Sequence, residues 1–234
     1  MTTPPTIRSA SSPPAKYLPP GEVALFRVEG ALSPRPTLTA AAWLALNAQR
    51  VRTRLLGLSS LAIAAPLGMR DPRKAHTLAW SVLEGMSEDR LIVLGEMYAQ
   101  EHLLSSLSAV GLELLERCRS RDQRVILLSD NLDVIVKPLA DALGVGEVLC
   151  NSMELERGRA TGKLRTPILP PEIGGTLLRE RLGERGVELS ACAAYGSHVN
   201  DAVLLGAVAL PCAVTPDREL RRMARDLDWP VVEG

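Results

Sequence analysis

Aromatic residues are scarce: three Trp, three Tyr and one Phe make up 3% of a 234-residue chain. A core for a chain of this size must therefore be assembled from Leu, Val, Ala and Ile. Excess charge is missing too. Twenty-seven Lys and Arg balance twenty-seven Asp and Glu, which argues against a global pull toward nucleic acid or an anionic membrane surface. Cys118, Cys150, Cys192 and Cys212 include no Cys-x-x-Cys pair, and three of them lie in apolar runs. Buried thiols in a reducing compartment are expected, not disulfides or zinc. No basic segment with an apolar stretch behind it opens the chain, and no apolar span reaches 18 residues. The expectation is a cytoplasmic protein without a transmembrane segment.

What is present is an alternation of short apolar runs and helical spacings. Residues 1–20 hold six prolines and a scatter of Ser and Thr, and read as a disordered tail. Val23–Phe26 is a continuous apolar run that continues through Arg27-Val28-Glu29 to Gly30, the pattern of a buried parallel strand delivering its last side chains to the carboxyl edge of a sheet. Pro34 and Pro36 then break the chain. Thr39 is read as the cap of a helix over about 40–56, followed by an apolar segment at 55–69 that is too short and too interrupted to span a bilayer. Asp71-Pro72 and Ser87 read as further helix starts. Leu91, Leu94 and Tyr98, then Leu103, Leu107, Val110 and Leu114, keep helical spacing.

A second strand is expected at Val125–Leu128 and a helix over about 132–143 closing at Gly144. A third strand follows at Glu147–Cys150, with a hairpin-type turn at 157–162. After a helix over about 175–185 come strands at 191–195 and 208–214 and a last helix carrying Leu220, Met223, Ala224 and Leu227 on one face. The expected fold is α/β, a doubly wound parallel sheet. Its core is 21–38 with 122–234, and an all-helical cap at 39–121 is inserted after the first strand.

Five pieces in this order resemble the haloacid dehalogenase (HAD) superfamily, in its phosphoserine-phosphatase-like branch, family IB. They are Arg27-Val28-Glu29-Gly30-Ala31, Leu127-Leu128-Ser129-Asp130-Asn131, Arg157-Gly158-Arg159-Ala160-Thr161-Gly162, Tyr195-Gly196-Ser197-His198-Val199-Asn200-Asp201, and Val214-Thr215-Pro216-Asp217. The resemblance implies a HAD-like Rossmannoid core. It also implies hydrolysis of phosphomonoesters through an aspartyl-phosphate, with magnesium offsetting phosphate charge.

Position by position, the chemistry is incomplete. Arg27 stands where the family has its nucleophilic aspartate, and a guanidinium has no lone pair to offer. Glu29 replaces the second aspartate and keeps a carboxyl group one methylene further out. Gly30 is retained. Ser129 matches the serine that holds the phosphoryl group. The lysine is missing near Gly174-Gly175-Thr176, and Lys163 lies too far ahead to stand in. Ser197 replaces the first aspartate of the last motif, leaving Asp201 as the metal position if a metal is retained.

Two readings of Arg27 remain open on sequence: paired with Glu29 and Asp201 in place of the metal, or turned to solvent. His198 reads as a surface residue. Asp130, followed by Asp133, reads as the N-cap of a helix beginning at Asn131. The expectation is a degenerate, non-catalytic relative of the phosphatases. It would need no cofactor and would bind a protein partner or a phosphorylated small molecule. The alternative is a magnesium-dependent phosphatase with a rearranged site.

Overall fold

A computed structural model describes residues 21–48 and 71–234. The proline-rich tail and the apolar segment at 55–69 lie outside the described residues. Val23–Arg27 forms β1 and Arg124–Leu132 forms β2. The sheet is completed by β3 (Glu147–Asn151), β6 (Ala193–Gly196), β7 (Leu210–Val214) and β8 (Val231–Val232). All six strands are parallel, in the order β3-β2-β1-β6-β7-β8. A separate antiparallel hairpin joins β4 (Met153–Glu156) to β5 (Arg159–Leu164).

β1 is central, flanked by β2 on one side and β6 on the other. Its side chains alternate between two cores. Ala24 and Phe26 pack with the helices of one face, Val23 and Leu25 with those of the other. Both faces are covered, which is why β1 is apolar throughout and not alternating. The first face carries α1 (Thr37–Leu46), α2 (Pro72–Ser81), α3 (Glu88–Tyr98), α4 (Ala109–Arg119) and α5 (Asp133–Ala142). The second carries α6 (Gly175–Gly183), α7 (Ala202–Gly206) and α8 (Arg218–Asp226). Phe26 and Tyr195 stack at 4.2 Å between ring centroids, tying β1 to β6.

Several boundaries differ from expectation. α1 starts at Thr37 with Pro36 at the cap position; Thr39 donates to the Pro36 carbonyl and caps nothing. Asp71 caps α2 by accepting from the Lys74 N–H, as its Asp-Pro pair predicts. α8 is capped by Asp217, which accepts from the Leu220 N–H, and Leu227 lies past its end, 52% exposed. β8 was not anticipated. The described part of the insertion between β1 and β2 is helical but does not stand alone, because the β4–β5 hairpin bonds to it through Gly85 N–H to Ala160 O and Ala160 N–H to Met86 O. Among the described residues no helix is long and apolar enough to cross a membrane.

α3 crosses α5 through Gly95. A Cβ built there would collide with the Val134 carbonyl oxygen, and backbone cannot swing aside as a side chain can. Gly95→Ala should therefore lower stability by about 1–3 kcal/mol through overpacking, despite the helix-propensity gain of about 1 kcal/mol. Urea denaturation measures the difference; a variant more stable than the parent would mean the helices are not packed this closely.

Candidate functional site

β1 ends at the point where the chain winds outward in opposite directions, toward β2 and β3 on one side and β6 to β8 on the other. That crevice is where open α/β sheets bind ligands. Arg27 is the last residue of β1, pairs in register with Leu128, and is 3% exposed. Its guanidinium meets three carboxylates. Nε donates to Asp201 Oδ1 at 2.8 Å, Nη2 donates to Asp130 Oδ1 at 3.0 Å, and the same Nη2 lies 3.5 Å from Glu29 Oε2. Burial opposes the guanidinium charge, but Asp201, Glu29 and Asp130 together outweigh it and push its pKa above the usual arginine value.

Each carboxylate is held from behind. Asp201 Oδ2 accepts from the backbone N–H groups of Ser197 and His198, at 2.8 and 3.0 Å. Asp130 Oδ2 accepts from the Thr37 hydroxyl at 2.8 Å, and its carbonyl oxygen is held by His76 Nε2 and Asn151 Nδ2. Burial alone would raise the Asp130 carboxyl, but Arg27, His76 and its hydrogen bonds hold it below the usual carboxylate value. Glu29 Oε1 accepts from the Ser129 hydroxyl at 2.5 Å and from Asn131 Nδ2 at 2.8 Å. Burial, followed by the neighbouring Asp130 charge, pushes Glu29 up to about 8 against the pull of Arg27. At neutral pH Glu29 is mainly protonated.

Gly30 takes φ +94°, the left-handed region in which a side chain is strained. A Cβ there would also lie 2.6 Å from Ser197 Cβ. It lets the loop after β1 close onto the loop after β6, which brings Glu29 and Asp201 to the same guanidinium. Ser197 turns its hydroxyl to the Thr215 carbonyl at 3.2 Å. His198 is exposed; its Nδ1 accepts from the Asn200 N–H and its Nε2 lies 3.3 Å from Asp217 Oδ2. Lys163 is exposed on β5 and does not line the crevice.

The reading of Asp130 as a helix cap is overturned. β2 runs four residues past Leu128, so Ser129, Asp130 and Asn131 are strand, and α5 begins only at Asp133. Asp133 opens that helix, bonded to the Val134 N–H and to Ser152, outside the cluster. Thr37 and His76 were not singled out by sequence. Only their burial as polar residues on the inner faces of α1 and α2, 6% and 3% exposed, marks them.

A cavity of about 820 Å³ opens above the cluster, walled by Pro34, Pro36, Leu38, Ala75 and Pro171. The groups expected to hold a phosphate face one another beneath it: Ser129 is bonded to Glu29, and Arg27 to Asp201 and Asp130. Magnesium binds through a cage of free oxygens. Here a permanent cation already lies within 3.5 Å of all three carboxylates, so these residues do not fit a divalent metal.

Comparisons with known proteins bear on this geometry. The family model described as haloacid dehalogenase-like hydrolase matches residues 24–205. The chain is 31% identical over 121 residues to the Inhibition of morphological differentiation protein of Streptomyces azureus, covering 51% of this chain and 43% of that one. The chain spans about half the length of the curated relatives it matches. A Bordetella pertussis protein of unknown function superposes with a TM-score of 0.76 at 22% identity, over 90% of this chain and 97% of its own. Phosphoserine phosphatase in its apo form shares the fold with a TM-score of 0.61 at 15% identity, over 89% of this chain and 98% of its own.

Proposed function

This chain belongs to the haloacid dehalogenase-like hydrolase family, and from that premise we propose that it is a pseudophosphatase, which keeps the family's crevice to bind a small molecule and hydrolyses no phosphate ester there. The observation that carries the reading is Arg27 at the end of β1, its Nε 2.8 Å from Asp201 and its Nη2 3.0 Å from Asp130. Attack on phosphorus would have to start from that position, and a guanidinium has no lone pair with which to attack.

No neighbour takes over. Glu29, pushed up to about 8, is protonated at neutral pH, and its Oε1 is bonded by both Ser129 and Asn131. Asp201 is bonded at both oxygens. Arg27 supplies the positive charge that Asp130 and Asp201 require, so the resting protein works without a metal cofactor. Four free cysteines, three of them buried, support a cytoplasmic setting.

Hydrolysis of p-nitrophenyl phosphate tests the reading. With millimolar magnesium the protein should release nitrophenol no faster than a protein-free blank, and EDTA should change nothing. Turnover that disappears in Glu29→Gln would instead establish a phosphatase with a rearranged site.

A further inference from the structure

The cavity above the cluster has the size of a small-molecule site, but its polarity is inverted relative to a pocket that grips a phosphate at its floor. At the floor most polar groups are bonded to one another, with Arg27 Nη1 and Glu29 Oε2 the buried exceptions among the described floor residues, and two carboxylates, Asp130 and Asp201, share the single charge of Arg27. An anion placed there meets a net negative field. The side walls are largely apolar, with three prolines, Leu38 and Ala75.

At the mouth the sign changes. Arg35 lies between Pro34 and Pro36 and is exposed, and its backbone N–H is held by Ser33 Oγ at 3.3 Å. Among the described residues its guanidinium has no ion-pair partner. Across the opening, Asp217 is bonded to the Val199 and Leu220 N–H groups and sits beside His198. Among the described residues lining the cavity, Arg35 is therefore the cation left for a ligand, carried on a segment that two flanking prolines stiffen.

We propose that the cavity takes a small amphiphile with one anionic group, its apolar body against Leu38, Ala75 and the prolines and its anion outside at Arg35. This rests on the pseudophosphatase reading, because a floor whose one guanidinium is already engaged by Asp201 and Asp130 leaves the anion to the mouth. Fit to the cavity comes from apolar contact; charge at the rim sets orientation and sign preference.

Isothermal titration calorimetry with octanoate, octylamine and inorganic phosphate tests the proposal. Octanoate should bind, octylamine should bind at least tenfold more weakly, and phosphate alone should neither bind nor compete. Arg35→Glu, at an exposed position whose side chain makes no hydrogen bond among the described residues, should reverse the order of octanoate and octylamine. Leu38→Trp, which fills the cavity from α1, should abolish both. The proposal is overturned if octanoate does not bind, if Arg35→Glu leaves the order unchanged, or if phosphate displaces octanoate. These failures are separable from failure of the pseudophosphatase reading, which only phosphate-ester turnover would bring about.

Discussion

Arg27→Met is expected to lower the unfolding free energy by about 3–5 kcal/mol, the usual cost of removing one partner from a buried ion pair. The loss should fall at the upper end of that range, because Asp130 and Asp201 lose their common counter-charge at once. A methionine of similar length keeps the packing, so the loss reports charge and not a cavity. Arg27→Asp makes the sharper comparison. It places four carboxylates in one crevice and should be at least as unstable in EDTA, but it recreates an oxygen cage. Magnesium at about a hundred times its dissociation constant would return about 2.7 kcal/mol, a rise in melting temperature of about 5–10 °C for a chain of this size. The parent protein should show no such rise, and Arg27→Met, which frees the carboxylates but supplies no fourth oxygen ligand, a smaller one. Differential scanning fluorimetry with and without magnesium reads all three proteins; a parent that gains as much from magnesium as Arg27→Asp would show that Arg27 does not fill the metal's place.

Much of the frame is legible from local signals. The apolar run at Val23–Phe26, the Asp71-Pro72 start and the Gly144 stop, with φ +63°, are each decided by a few adjacent residues. What could not be read locally is the end of β2. The apolar run stops at Leu128, and Ser129-Asp130-Asn131 carries the composition of a turn or a helix cap. These residues remain in the strand because their partners, Glu29, Arg27, Thr37 and His76, arrive from segments 54 to 103 positions away. The same long-range demand explains α1. Thr37, drawn to Asp130, begins the helix two residues ahead of Thr39. β8 is two residues long, and Val231-Val232 alone is too brief a run to distinguish from a tail. Placing Arg27, Glu29 and Asp201 at one edge needed only the strand order implied by the family resemblance; finding the third carboxylate needed the register of β2 against β1.

Burial of Glu29, with that third carboxylate beside it, sets the pH behaviour. In the folded protein burial, and after it the Asp130 charge, pushes the Glu29 carboxyl up to about 8 from an ordinary 4.5. Between those values the folded state holds a proton that the unfolded chain has released, so stability falls as pH rises, by up to about 1.4 kcal/mol per pH unit, and levels off above about 8. Asp130 works in the opposite sense and in another window. Held below its ordinary 3.8 chiefly by Arg27, it contributes stability that is complete above that value and is lost as pH falls below it. Stability should therefore peak in weak acid, near pH 5, and decline through neutrality, although the chain carries balanced charge. Glu29→Gln keeps an acceptor for Ser129 and Asn131 and cannot ionise. It should lose the slope between pH 5 and 8 and exceed the parent by about 2 kcal/mol or more at pH 8.5. Urea midpoints at pH 5.5, 7.0 and 8.5 for both proteins decide the matter. Parallel curves would mean that Glu29 is ionised throughout, so that Arg27 balances three negative charges at neutral pH instead of two.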